Sequence, residues 1–328
     1  MIRIIKLIIW IFVMFGIFLL VNYKSFINYT IPESKTIYVK SGDTLNTTLT
    51  RELNLDNFYL KIYLNLNPKQ KIKVQVGEYR IGEGENIQTI IETLKYSPKA
   101  IDKKITILEG WNIFDIDEYL TKNGLTQAGE FISESKNTSK YKEKFSFLQN
   151  ALTLEGYLYP DTYFVNPNNF KIENLNNSML ENFRKKVYDN LLSTLNSTQI
   201  NEIIILASIL EKEERNILEK PTVAGILKKR YLNNWMIGAD ITACYAYSLT
   251  SEECKMNLSK YILEKNEYNT RTMVGLPKTP ICNPSFESVN AVINSKNTPY
   301  WYYLHDKSGQ IHYAKTNEEH INNYKYLK

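Results

Sequence analysis

The strongest hydrophobic pattern in the chain is one that never alternates. Residues 203–210 read Ile-Ile-Ile-Leu-Ala-Ser-Ile-Leu and run straight into Glu211-Lys212-Glu213-Glu214. A stretch that is apolar on every side predicts a helix buried at the centre of a domain, with Ser197 or Thr198 placed to cap its start. At ~100° per residue, Glu213 falls on the side of Ile209 and Leu206, whereas Glu211 falls over Ile204 and Ala207. The two carboxylates therefore point to different sides. A carboxylate held against apolar walls has a raised pKa and can carry a proton at neutral pH, as a general acid must. The same pattern also describes a core helix that simply ends in a solvated, charged turn.

Elsewhere the periodicity changes from segment to segment. Residues 36–39 alternate as a strand and meet the turn Ser41-Gly42-Asp43-Thr44. Residues 45–53 and 58–66 predict two helices, 71–79 a strand, and 87–96 an amphipathic helix with Ile87, Ile90, Ile91 and Leu94 on one face. A strand over 104–108, a turn at Glu109-Gly110 and a helix over 113–120 follow. Residues 133–146 are polar and predict an exposed helix or loop. From about residue 152 the chain reads as one α+β domain, with helices over 199–214 and 222–231 and late strands over 300–304 and 310–314. The expected fold class is α+β throughout.

The N-terminus adds a membrane segment. Residues 7–21 are an unbroken apolar run, preceded by Arg3 and Lys6. Counted from Ile4 to Tyr23, with Lys6 snorkelling, it spans ~30 Å as a helix, the thickness of a hydrocarbon core. No small-x-small cleavage site follows Val21, so an uncleaved signal anchor is expected in preference to a cleaved signal peptide. The positive charges ahead of it keep the N-terminus in the cytoplasm and export the rest. The expected organisation is a tip and transmembrane anchor over 1–24, a linker over 25–35, a small unit over 36–98 and a large domain over 101–328.

Composition changes this picture little. The chain has 328 residues, 43% apolar and 23% charged, as an ordinary globular protein does. A net charge of +5 is small and dispersed, and there is no phosphate-binding glycine loop or RNA-binding aromatic signature, so nucleic acid is not an expected partner. The 24 tyrosines offer faces for sugar rings but equally fill cores. With three histidines, no His-Glu-x-x-His and no paired Cys-x-x-Cys, neither metal nor cofactor is expected. Cys244 and Cys254 could close a short disulfide loop in an oxidising compartment.

Four segments carry candidate chemistry. Leu-Glu-Gly-Tyr-Leu-Tyr-Pro-Asp-Thr-Tyr at 154–163 is a turn-rich aromatic loop with two carboxylates. Ala-Ser-Ile-Leu-Glu-Lys-Glu at 207–213 is the helix end. Asp-Ile-Thr-Ala-Cys-Tyr-Ala at 240–246 places Asp240 where it could cap a helix. Tyr-Asn-Thr-Arg at 268–271 leads into a loop fixed by Pro277, Pro280 and Pro284. Singly, Asp161 reads as a turn former, Asp240 as a cap and the proline loop as a connector.

In this order they resemble the endolytic murein transglycosylases, the YceG-like family. The family pattern is met at 154–163 and 207–213, at 240–246 except for Ile241 in place of proline, and at 268–281 with Arg271 for tyrosine and Lys278 for proline. Gly309-Gln310-Ile311-His312 and Glu319-His320-Ile321-Asn322 resemble its closing strand pair and helix. The resemblance implies a single-pass inner-membrane protein whose catalytic domain is periplasmic or extracytoplasmic, with a LysM-like unit over 36–98, resembled here by Ser41-Gly42-Asp43-Thr44-Leu45. It implies cleavage of bonds between N-acetylmuramic acid and N-acetylglucosamine within glycan strands, giving 1,6-anhydro ends. It also implies work beside glycan-polymerising enzymes, where such cuts would terminate nascent strands.

On the resemblance, Glu213 is the acid/base, with Glu211 as second candidate or as its support. Glu155, Tyr157, Asp161, Tyr163, Asp240, Thr242, Tyr245, Asn269, Thr270, Gly275, Leu276 and Pro277 are expected to contact substrate or wall the site. A hydrolytic muramidase on the same fold and an inactive wall-binding scaffold are the rival readings.

Overall fold

In the computed structural model, which describes residues 2–96 and 103–327, the chain forms two compact units. One holds residues 1–103 with 166–169, and the other 104–165 with 170–328. The boundary expected between residues 98 and 101 lies outside the described residues.

The first unit opens with α1 (Ile2–Ile27). Within it, Lys6–Ile27 is long and apolar enough to cross a membrane, and its large side chains are exposed, Phe12 at 70% and Leu20 at 69%. Next come β1 (Lys35–Val39), α2 (Leu45–Leu53), α3 (Asn57–Leu66), β2 (Gly77–Ile81) and α4 (Ile87–Lys95). β1 and β2 pair antiparallel, Ile37 opposite Tyr79. Caps set the helix starts: Thr44 and Thr47 form a reciprocal capping box, and Asp56 and Asn86 accept from the first turns of α3 and α4. Ile37, Leu49, Leu60, Ile81 and Ile90 make a small core of their own. The strand expected over 71–79 begins only at Gly77, because residues 71–76 lack ladder partners and Lys71 turns to Asn65.

The second unit begins with β3 (Lys103–Thr106), α5 (Ile113–Lys122), α6 (Glu130–Ser135) and α7 (Ser139–Lys142), then β4 (Thr162–Val165), which pairs with β3. The polar stretch at 133–146 is less exposed than its composition suggests, since Tyr141 and Phe145 are buried in the main core. α8 (Ile172–Phe183) continues into a π-helical run at Arg184–Leu192, a helix the sequence reading did not assign.

The central helix is α9 (Ser197–Glu213), buried from Ile204 to Leu210. Asn196, rather than Ser197 or Thr198, caps it, in a reciprocal box with Gln199. α10 (Lys220–Leu232) lies against it, followed by α11 (Thr242–Tyr245), α12 (Ser251–Tyr261) and α13 (Phe286–Ile293), which packs on both α9 and α10. The close packing around α10 needs Gly225, where an added Cβ would meet the Lys296 carbonyl oxygen at 2.0 Å. β5 (Tyr302–His305) and β6 (Ile311–Ala314) form an antiparallel hairpin against which α14 (Asn317–Asn323) folds.

Candidate active site

The last turn of α9 divides its carboxylates between two different surroundings, as the helical spacing predicts. Glu211 is locked. Lys220 Nζ lies 3.1 Å from its Oε2, which also accepts from Ser285 N (3.1 Å), Ser285 Oγ (2.6 Å) and Ser288 Oγ (2.5 Å). Burial alone would raise its pKa, but the lysine charge and the serine hydrogen bonds hold the carboxyl below its usual range. An ion with that many donors on one oxygen is poorly suited to passing a proton.

Glu213 faces an open cleft of about 430 Å³ lined by Arg230, Asp240, Arg271, Tyr302, Tyr303 and His305, among others. Burial pushes its carboxyl pKa up, Tyr303 tempers the rise by donating at 2.8 Å, and the charge of Asp240 adds to it. This is the carboxyl that can hold a proton at the mouth of a cleft. The neighbouring Glu214 does not compete. It is buried, pairs with His305 Nε2 at 2.9 Å and accepts from Asn216 N, so its pKa falls despite burial. The same pair raises the pKa of His305.

Other parts of the cleft come from far along the chain. Asp240 is not a helix cap: α11 starts at Thr242 without a side-chain cap, and the Asp240 carboxylate pairs with Arg271 across the cleft wall. Arg230 of α10 donates to Trp301 O at 2.9 Å and to Ile237 O, so one guanidinium ties the loop before Asp240 to the start of β5. Trp235 stacks on Trp301, ring centroids 4.7 Å apart, and meets Tyr302 edge-on at 5.8 Å. These contributors (Arg230, Trp235, Tyr302, Tyr303, His305) were not expected from sequence. The aromatic content of 300–304 was a signal for Tyr302 and Tyr303 alone.

Most of the other expected site residues lie behind the cleft. Glu155 is wholly buried and accepts from Ile113 N (2.9 Å), Tyr245 Oη (2.8 Å) and Asn283 Nδ2 (3.1 Å); burial raises its pKa to about 8 despite those bonds. Asn283 also accepts from Gly156 N and Leu158 N, clamping the proline loop onto the aromatic loop. At Gly156 (φ +88°) a Cβ would meet Pro280 at 2.6 Å and Ile204 at 2.7 Å, so only glycine fits.

Tyr157 is buried against Phe147 and Phe183 and reaches Asn201. Asp161 pairs with Lys186 at 2.6 Å and accepts from Thr162 N, and Tyr163 donates to Tyr159 O. Thr242 and Thr270 are buried and share a 3.0 Å hydroxyl contact, while Asn269 spends its amide on the Ile262 and Glu264 carbonyls. Pro277 is buried, Leu276 packs on the core and Gly275 (φ +93°) makes the turn between them and Val274. Of the expected residues, the structure brings Glu213 and Asp240 together at the cleft; none of the others lines it. Cys244 and Cys254 are joined by a disulfide. Among the described residues, no group of three or more His, Cys, Asp and Glu side chains could hold a metal ion.

Comparison with known proteins agrees with this architecture. Two relatives are named endolytic murein transglycosylase. The one from Bacillus subtilis is 23% identical over 90% of this chain and 83% of its own length. The one from Streptococcus pneumoniae D39 is 24% identical over 92% of this chain, which spans 58% of that protein. The crystal structure of a yceG-like protein from Listeria monocytogenes superposes with a TM-score of 0.59 at 21% identity, covering 88% of this chain and 98% of that one, and so shares its fold. The YceG-like family model matches residues 37–326, and the chain belongs to that family.

Proposed function

We propose that the protein is a membrane-anchored endolytic lytic transglycosylase of peptidoglycan, with Glu213 as the single acid/base. The observation that carries this reading is a carboxyl with a raised pKa facing an open cleft, with Tyr303 donating to it. The names of the relatives supply the substrate class. In the first step Glu213 gives its proton to the glycosidic oxygen and the C1–O bond of N-acetylmuramic acid breaks. The carboxylate then takes the proton of the C6 hydroxyl as that oxygen closes on C1, leaving a 1,6-anhydro end and a regenerated acid. No second nucleophilic carboxylate is needed, in contrast to two-carboxylate glycosidases.

α1 is the anchor in this reading, in the inner (cytoplasmic) membrane with its N-terminus inside and the second unit outside, and the 36–98 region serves as a LysM-like unit. Cuts made beside glycan-polymerising enzymes would end nascent strands. A hydrolytic reading is favoured by one observation: Asp240 brings a second carboxylate to the cleft, where it could activate water. The test is incubation of the full chain with uncrosslinked glycan strands, beside Glu213→Gln, with products weighed by mass spectrometry. Internal fragments lighter by one water than hydrolysis products, absent with the variant, support the transglycosylase. Fragments carrying the full water mean a muramidase, and no cleavage by folded protein means a binding scaffold.

A further inference from the structure

The second unit has another cleft of about 450 Å³ on the far side of the α9 terminus, which the chemistry above does not use. Glu211 and Lys212 line it, whereas Glu213 lines the first; Ile241 faces it, whereas Asp240 faces the first. The two clefts are thus separated by one helix end and by the 240–241 backbone. Setting aside Glu211 and Lys220, which neutralise each other, the charges left are of both signs. Lys212 donates to Ser251 Oγ at 2.7 Å, and Lys255 stands one turn further along α12. Arg215 and Lys255 are exposed, and neither enters an ion pair among the described residues. Opposing them, Glu109 and Glu287 lie close enough that the second raises the pKa of the first, after burial and Glu211. Trp111 adds an aromatic face to the lining.

We propose that this second cleft binds the stem peptide of the glycan strand cut at Glu213, with Arg215 and Lys255 holding its carboxylates and Glu109 and Glu287 its free amine. The identity of the ligand rests on the transglycosylase reading; the recognition chemistry is that of a short peptide bearing carboxylates and one amine. Reach is adequate. A helix with its side chains is ~10–12 Å across, and four extended residues span ~13 Å. A peptide leaving the sugar ring in the first cleft can therefore pass the end of α9 and bring its distal end, with the diamino acid and the terminal carboxylate, to the second. A neutral, naked sugar chain would leave these charges unmatched.

The test uses the full chain in detergent and two readouts. In the first, a stem tetrapeptide with its N-terminus blocked as an amide, so that the diamino acid carries its one free amine, is titrated by calorimetry into wild type, Glu213→Gln and the double variant Arg215→Ala/Lys255→Ala. Wild type and Glu213→Gln should bind alike, and the double variant about tenfold or more weakly, as loss of charge-assisted bonds implies. Acetylating the peptide amine should also weaken binding. In the second, wild type should cut peptide-bearing strands faster than strands stripped of peptide, and the double variant should cut both at the stripped-strand rate.

No peptide binding by wild type, or equal binding by the double variant, overturns the proposal. Peptide binding without any strand cleavage keeps the peptide site and sinks the transglycosylase reading instead. Both substituted residues are exposed, so a folded variant is expected, and a thermal melt matching wild type checks it.

Discussion

Two residues apart on one helix, Glu211 and Glu213 are expected to fail in opposite ways. Glu213→Gln should lower strand cleavage by ~10²–10⁴ and leave the melting transition unchanged, because only a cleft-facing proton is lost. Glu211→Gln should do the reverse. It leaves Lys220 buried beside a neutral amide, and uncompensated buried charge costs ~3–5 kcal/mol, visible in denaturant unfolding. Tyr303→Phe should move the pH profile. Tyr303 donates to Glu213 and stabilises its anion, so its removal raises the pKa of the acid further. The alkaline limb of kcat/KM, where the acid loses its proton, should then shift to higher pH.

Glu155 gives a stability profile instead. Its folded pKa of about 8 lies above the value of 4.5 for an unfolded glutamate, so the folded state holds the proton more tightly. The stability advantage of that proton is complete below pH ~4.5 and is lost as pH rises toward 8. Glu155→Gln should flatten that decline, as followed by melting temperature across the same range.

At the level of elements, the site is held by packing and by one covalent link. Gly225→Ala would force α10 off the 296 backbone, and overpacking of this kind costs ~1–3 kcal/mol or more; circular dichroism melts should show it. Opening the Cys244–Cys254 disulfide with Cys254→Ser should cost ~2–3 kcal/mol and loosen the wall that carries Asp240, raising KM more than it lowers kcat.

Which elements could be read in advance follows from the same physics. α9 was legible because its apolar run, with seven consecutive buried positions from Ile204 to Leu210, shows no polar face, and the fork between Glu211 and Glu213 follows from helical rotation alone. α2 to α4 were legible from periodicity and turn chemistry. The fate of Glu155 was not. A Leu-Glu-Gly segment in a turn-rich loop reads as exposed, and the groups that bury it (Ile113, Tyr245, Asn283) lie 42, 90 and 128 positions away. Tyr303 was hidden for the same reason, since its bond to Glu213 spans 90 positions. Asp240 carries the mark of a cap and meets Arg271 instead, a choice set by tertiary contact rather than by local preference.

For the whole molecule, α1 makes the plainest prediction. The full chain should remain with membranes through alkaline carbonate extraction, whereas a chain lacking residues 2–27 should appear in the soluble fraction, as expected for a segment of this length and apolarity. Its orientation can be checked by protease accessibility of the second unit in spheroplasts. The burial of α9 on every side has a consequence for how such a molecule can vary. The helix that carries Glu213 is surrounded by core, so a substitution along it disturbs several neighbours at once, and its position can hardly drift. The surfaces facing it come from a loop around Trp235, from Asp240 just ahead of the buried α11, and from a hairpin and last helix near the chain end, where Trp235, Met236 and Tyr324 are exposed. On the proposed reading, new glycan preferences are therefore accessible through changes in those walls alone, while Glu213 stays where the core has put it.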